Sequence, residues 1–387
     1  MEIRKQQLWT AGKAVLKSLI PFVFGTALRK SPKNAARNVK TPKRILLLNG
    51  AHIGDVIVAA SVIPILRGAY PSAEIGFVAG SWAQMVVENH PWVTYTHRVD
   101  HWRANRGTDS LYRKMLQFIR TRRVALREIR DLKYDVAISL YALFPDLLDL
   151  SCAARIPVRI GFRRSIFASL ATDLVELPES PFVHQGACLS EVLRALPIDP
   201  VHFQSRQSTL APSSATSIQE VCSLLQVSRL EDVRYRIIHM GSGEVRREFP
   251  VSFWRELSEK LSPEHTLVFT GRGPREEANV ATVIRGLGNC VNACGRLTWG
   301  GFVAAVRYAE ALYGVESMAG HVAGAVGTKC FVVYGGTAGV AKWRPEGKQS
   351  TVFTNHVPCA PCHLPGGCAA MTCMQGIRPD DLIHLSH

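Results

Sequence analysis

Long hydrophobic runs are missing from this chain. The apolar stretch near its start, Leu19 to Phe24, is far too short to span a bilayer, and no later segment supplies a membrane-spanning run. Acids are scarce too, with 31 Asp and Glu against 46 Lys and Arg and a net charge of +15. The shortage is sharpest in residues 1–44, which hold eleven basic residues and the single acid Glu2. Charged residues make up only 20% of the chain and hydrophobic ones 47%, which excludes a disordered protein. The 387 residues suffice for two ordinary domains. Aromatics do not interleave with the basic residues between Arg98 and Lys133, so single-stranded nucleic acid is not the expected partner. Ten cysteines in a chain of this size do not make a secreted disulfide scaffold. Six of them (Cys152, Cys188, Cys222, Cys290, Cys294 and Cys330) stand scattered in apolar contexts, as buried free thiols do, and a reducing compartment is expected.

What the basic start does contain is a helical spacing of Leu8, Gly12, Val15, Leu16, Leu19 and Ile20, with Lys13 and Lys17 on another face. Residues 1–42 thus read as a segment lying on an anionic membrane, with a helix packed on its own domain as the alternative. A secretory signal fits poorly, because Pro21 interrupts the apolar core and basic residues follow it.

From Arg44 onward, apolar runs alternate with helical patterns: RILLLN, a helix to Leu66, EIGFVAG at 74–80, a helix from Trp82, and YDVAISL at 134–140. A Pro/Ser/Thr-rich stretch at 196–217 marks a boundary, giving domains 43–215 and 216–387. The second series has strands at 235–240, 265–271, 289–295, 311–315 and 329–336. Its helices lie around Phe253–Leu261 and from Glu276, Trp299 and His321. This alternation predicts an α/β protein of two doubly wound, Rossmann-like domains, with a ligand cleft at the carboxyl ends of both sheets. Such a cleft suits a two-substrate transfer.

The first loop, NGAHIGD, delivers Asp55 to a helix start. It reads either as an N-cap or as a carboxylate held at the cleft to act as general base, with His52 beside it. In the second half, Gly241 and Ser242 form a small-residue turn followed by Arg246 and Arg247, a pattern suited to a diphosphate. In GRGPREEA, Glu276 or Glu277 could hydrogen-bond a ribose, or simply complement the positive end of its helix. Glu316, Ser317 and His321 follow the next strand, with small residues that let a helix start approach a ligand. Cys359, Cys362, Cys368 and Cys373 could hold a structural zinc; a reduced packed loop or a redox-formed bridge are the alternatives. Arg113, Arg120 and Arg127 recur every seven positions, as a solvated helix face or as a platform for an anionic acceptor.

Together these motifs resemble glycosyltransferase family 9, the bacterial lipopolysaccharide heptosyltransferases and their relatives, over roughly residues 43–383. NGAHIGDVIVAASVIPILRGAYPSAEI is similar to the family's first loop and helix. GSGEVRREFP resembles its phosphate-binding turn, with Arg247 in the lysine position and Phe249 in that of tryptophan. GRGPREEA is similar to the nucleotide-contacting turn, with Glu276 nearest its glutamate, and GRLTW, which contains Leu297, to the adenine-side turn. The family's Asp-(Ser/Thr)-Gly-x-x-His appears here as Glu316-Ser317-Met318-Ala319-Gly320-His321, a longer acid with the glycine displaced.

The resemblance implies a GT-B fold and an inverting glycosyltransferase with Asp55 as base. The implied donor is a nucleotide-diphospho-sugar, ADP-heptose favoured, bound by Gly241, Ser242, Arg247, Glu276, Leu297, Glu316, Ser317 and His321. The implied acceptor is an anionic lipid-linked glycan such as a lipopolysaccharide core, near His52, Arg113 and Arg120. No catalytic metal or other cofactor is required and no nucleic acid partner is expected. The expected location is cytoplasmic, peripheral on the inner face of the cytoplasmic membrane. The rival reading is a non-catalytic envelope-assembly or binding protein that keeps the fold.

Overall fold

The computed structural model describes residues 33–143, 145–178, 180, 182–337, 339–362, 364 and 368–384. The chain divides into two compact units, Met1–Glu179 with Gln185–Ala211, and Ser180–His184 with Pro212–His387. The amphipathic pattern from Leu8 to Ile20 lies outside the described residues. Part of the basic run that follows is engaged inside the first unit. Lys33 Nζ donates to the Ala171 carbonyl at 2.8 Å, the Ala36 N–H to the Asp173 carboxylate at 3.2 Å, and Arg44 pairs with Glu74 at 2.6 Å.

The first unit holds six parallel strands: β1 (Arg44–Leu48), β2 (Glu74–Ala79), β3 (Tyr95–Arg98), β4 (Val136–Ser139), β5 (Val158–Phe162) and β6 (Asp173–Val175). Their order is β3-β2-β1-β4-β5-β6. The unbroken apolar runs of β1 and β4 suit strands covered on both faces. They lie side by side, with Ile45 opposite Val136 and Leu48 opposite Ser139.

Several elements depart from the sequence reading, among them the short strands β3 and β6, which it did not contain. The helix expected from Trp82 is only a 3-10 turn, Gln84–Val86, because Asn89 turns left-handed (φ 60°) and Pro91 follows. The β-branched and aromatic residues beyond it then pair as β3. Strand β5 went unseen because Arg159 interrupts its apolar run. Its guanidinium is buried and donates to the Leu170 carbonyl at 2.7 Å and the Ile156 carbonyl at 2.6 Å, which makes the burial tolerable. The helix expected up to Leu66 is two pieces, Ile53–Ala59 and Ile63–Ala69, joined by a 3-10 turn.

Asp146, in the loop after β4, is buried and accepts hydrogen bonds from the Ser165 hydroxyl and, at 3.1 Å, the Leu148 N–H. Burial outweighs both bonds and raises its carboxyl to about 7. A folded-state value above the unfolded one means that the folded protein binds the extra proton. Stability from this group is therefore complete at acid pH and lost as pH rises towards 7. The urea midpoint is expected to fall between about pH 5 and pH 7.5. Asp146→Asn should flatten that slope; an identical slope in the variant would refute the assignment.

The second unit repeats the plan with β7 (Tyr235–His239), β8 (Thr266–Phe269), β9 (Cys290–Asn292), β10 (Ala311–Val315), β11 (Lys329–Tyr334) and β12 (Ser350–Thr354). These strands are also parallel and run in the order β12-β11-β10-β7-β8-β9. Its core packs Phe249, Phe253, Trp254 and Leu257 against Ile238, Tyr313 and Phe331. Edge strand β12 was not expected. The helix read as starting at His321 starts at Met318 (Met318–Val326), because Ser317 caps it by accepting the Ala319 N–H at 3.4 Å. In each unit the strand order reverses beside the first strand, between β1 and β4 and between β7 and β10. The loops leaving β1 and β7 thus occupy the position where doubly wound sheets bind ligands.

Candidate functional site

In the second unit, the loops after β7, β8 and β10 meet at one edge of the sheet. Phe249 is buried against Phe253, with ring centroids 5.1 Å apart, and pins the turn after β7 to the core. Arg247, just before it, points Nη1 to Glu316 Oε1 at 3.3 Å and Nη2 to Glu244 at 3.4 Å. Arg246 pairs with the same Glu244 at 2.6 Å and also reaches the Leu364 carbonyl. Of the two arginines, Arg247 alone contacts Glu316 among the described residues.

Glu316 is 4% exposed, and its carboxyl is raised to about 7, mainly by burial and against the pull of Arg247. Its Oε2 and Arg247 Nε are buried and without a hydrogen-bond partner among the described residues. Buried polar atoms of this kind are costly unless a ligand or water meets them. The Ser242 hydroxyl donates to the Glu316 carbonyl at 3.4 Å, tying the two loops together. Glu276, whose own carboxyl is raised by burial, lies over the first turn and accepts the Arg272 N–H at 3.0 Å. A Cβ on Gly241 would stand 2.2 Å from its carboxyl carbon, so glycine here lets the Glu276 carboxyl lie directly over the turn.

Gly241, Ser242, Arg247, Glu276, Glu316 and Ser317 are therefore brought together. Leu297, half-buried in the loop after β9, sits at the same end of the sheet. His321 lies one turn into its helix, and its ring is lowered to about 4 by burial first, then by His184 and Arg247.

Several sequence expectations change. The Ser242 N–H is not open to an anion but donates to the Glu248 carboxylate at 2.8 Å. Glu248 also accepts Arg275 Nη2 at 2.6 Å, so Glu248 and Arg275 belong to the site and were not singled out. Two small residues of the helix after Ser317, Gly320 and Gly324, face another part of the chain. A Cβ on Gly324 would meet the Glu346 carbonyl at 2.2 Å, so they admit the chain at Pro345–Glu346. His184, reached from the sequence as part of the first half, belongs to the second unit and pairs with Glu346 at 2.8 Å. The tail thiols are free, and among the described residues no group of three or more His, Cys, Asp or Glu is arranged to hold a metal.

In the first unit, the loop after β1 is held by Asn49. Its side chain is buried, accepts the Ala51 N–H at 3.0 Å and donates to the Asp55 carbonyl at 3.3 Å. Trp82 Nε1 donates to the Ala51 carbonyl at 2.7 Å. The N-cap is His52, and Asp55 stands three residues on, accepting the His52 N–H at 3.3 Å in a capping box. The structure thus assigns the cap to His52 and leaves Asp55 half-buried at the loop's mouth. Tyr141 shares this neighbourhood: burial and then the Asp55 charge raise its hydroxyl to about 12, opposed by Arg106 and Arg103. Sequence reading missed all three residues. Arg113 and Arg120 line a groove of about 750 Å³ with Arg98, Leu116 and Gln117, in which neither Asp55 nor His52 takes part.

A family model of glycosyltransferase family 9 (heptosyltransferase) matches residues 122–366, more than half of the chain. Asp55 precedes the matched stretch. No curated protein matches the sequence significantly. Among solved structures, the chain is similar to an E. coli ADP-heptose lipopolysaccharide heptosyltransferase II, at TM-score 0.69 and 18% identity over 89% of this chain and 98% of that one. E. coli heptosyltransferase WaaC with ADP gives 0.65 and 15% over 89% and 100%. A family 9 glycosyl transferase from Veillonella parvula DSM 2008 gives 0.67 and 21% over 81% and 86%. At such identities the likeness is one of fold, and that fold is GT-B.

Proposed function

The chain belongs to glycosyltransferase family 9 and is a glycosyltransferase, and on that premise we propose that it transfers a heptose or related sugar from a nucleotide-diphospho-sugar, with inversion, to an anionic lipid-linked glycan of the lipopolysaccharide-core class. The observation that carries this reading is the gathering of Gly241, Ser242, Arg247, Glu276 and Glu316 where the strand order of the second sheet reverses. Arg247 supplies the charge for the diphosphate, with the start of the Met318–Val326 helix as a second donor of N–H groups. To use the Ser242 amide as well, the diphosphate displaces Glu248 onto Arg275. Glu276 accepts from the ribose hydroxyls.

On the first unit, Asp55 takes the proton of the acceptor hydroxyl as that oxygen attacks the anomeric carbon and the nucleoside diphosphate departs. A single displacement inverts the anomeric centre. Arg103 and Arg106, which share the surroundings of Tyr141 with Asp55, offer cations to an anionic acceptor. Adenine is favoured because one similar structure is that of an ADP-heptose heptosyltransferase and another is that of a heptosyltransferase with ADP. Attachment to the inner face of the cytoplasmic membrane through the basic start fits a lipid-linked acceptor. Among the described residues no helix is long and apolar enough to cross a membrane.

A thermal-shift screen over ADP-, GDP- and UDP-sugars tests the donor. An ADP-sugar at about 100 times its Kd is expected to stabilise the fold by about 2.7 kcal/mol, a shift of several degrees. Stabilisation by UDP- or GDP-sugars alone would replace adenine as the base.

A further inference from the structure

One helix of the first unit carries a face that no described residue covers. Leu111–Leu132 begins at Ser110, whose hydroxyl accepts the Arg113 N–H, and ends at Lys133 in the left-handed region (φ 52°). Its inner side, with Phe118, Ala125, Leu126 and Ile129, packs into the first unit's core. The outer side is unusual for a soluble helix. Of the twelve large hydrophobic residues exposed among the described residues, six stand on this helix, Leu111, Tyr112, Met115, Leu116, Ile119 and Val124, and Tyr112, Leu116 and Ile119 of these lie on its outer side. Tyr112 is 72% exposed and Leu111 58%. Clustered exposure on this scale marks an interaction surface rather than ordinary scatter.

The charges on the same helix are mostly positive. Arg113, Arg120, Arg123, Arg127 and Arg130 are exposed, against the exposed acids Glu128 and Asp131. At about 100° per residue, Tyr112, Leu116, Ile119, Arg120, Arg123 and Arg127 fall on one side, opposite Phe118, Ala125 and Ile129. A basic face carrying large apolar side chains is the pattern of a helix lying in the plane of an anionic lipid surface.

We propose that the Leu111–Leu132 helix docks on anionic phospholipid, its apolar side chains entering the boundary between headgroups and acyl chains and its arginines meeting the phosphates. Charge selects this occupant. A second copy of the chain would bring two arginine-rich faces together across a two-fold axis. Residues 1–32, with six Lys and Arg against one acid, are repelled by the same field. A phosphorylated glycan would satisfy the arginines and leave Tyr112, Leu116 and Ile119 in water. The attachment is separate from that expected of the basic start and does not depend on sugar transfer.

The test uses the full chain and co-sedimentation with phosphatidylcholine vesicles that contain or lack phosphatidylglycerol. Wild type is expected to bind only the anionic vesicles, less so as salt rises. The double variants Tyr112→Ser/Ile119→Ser and Arg123→Glu/Arg127→Glu should each bind at least about tenfold more weakly. Their melting temperatures should match wild type, because all four positions are exposed. Wild-type binding by both variants would overturn the proposal and leave the attachment to the N-terminal segment. So would unchanged vesicle binding joined to the loss of a concentration-dependent dimer in sedimentation velocity, which would make the face a self-association surface.

Discussion

Asp55→Asn is expected to lower the rate of sugar transfer by about 10²- to 10⁴-fold, the usual contribution of a positioned general base. Nucleotide-sugar affinity should be unchanged, because the residues gathered for the donor belong to the second unit. Asparagine is the discriminating replacement here. Its side-chain oxygen can still accept the His52 N–H that Asp55 accepts at 3.3 Å, so the start of the Ile53–Ala59 helix keeps its capping box. The stability cost should stay below about 1 kcal/mol. Single-turnover transfer and calorimetric titration of the donor, made on the same preparation, separate the two effects. A rate equal to wild type would remove Asp55 as the base and reduce it to a capping residue.

Arg247→Ala should have the second large effect, and it divides into two parts. Donor affinity is expected to fall by about 10- to 100-fold, as when a charged hydrogen-bond donor is withdrawn from a phosphate. Stability should fall as well, because Glu316 keeps its burial and loses the cation that opposes it. The folded-state value of Glu316 already lies above its unfolded value, and removing Arg247 raises it further. Its contribution is then present at acid pH and lost as pH rises through the folded value, so the variant is weakest above about pH 7. The cost there is on the order of 3 kcal/mol, typical of a buried pair that loses one partner. Adding Glu316→Gln should restore stability without restoring donor affinity. Recovery of affinity in that double variant would show that Arg247 acts only as a counter-ion to Glu316.

Much of the architecture was legible. Apolar runs such as RILLLN and ALYGV, each followed by a helical period, can be buried on both faces only in a covered parallel sheet, and both units have one. Glu316 could be picked out because it follows a strand directly, where side chains of a doubly wound sheet converge, while Arg247 and Glu276 were singled out from their neighbours Arg246 and Glu277 by the family resemblance. Illegible elements carry a polar residue inside an apolar pattern or none of the pattern at all. Arg159 hid β5 because only folding supplies the carbonyls of Leu170 and Ile156 that satisfy it. Trp82 suggested a helix because the left-handed Asn89 and the pairing of β3 against β2 cannot be seen from periodicity.

The alternation of strands with helices, the two-unit plan and the loop that carries Asp55 follow from the sequence alone, since each rests on burial patterns a few residues long. Which groups answer one another was settled by tertiary structure. Glu248 reaches the Ser242 amide, His184 joins the second unit, and His52 rather than Asp55 caps its helix. The raised carboxyls of Glu316 and Asp146 likewise come from burial by distant parts of the chain. Local patterns report whether a residue is apolar; they carry no information on which charge, carbonyl or amide will stand three ångströms away once the loops have closed.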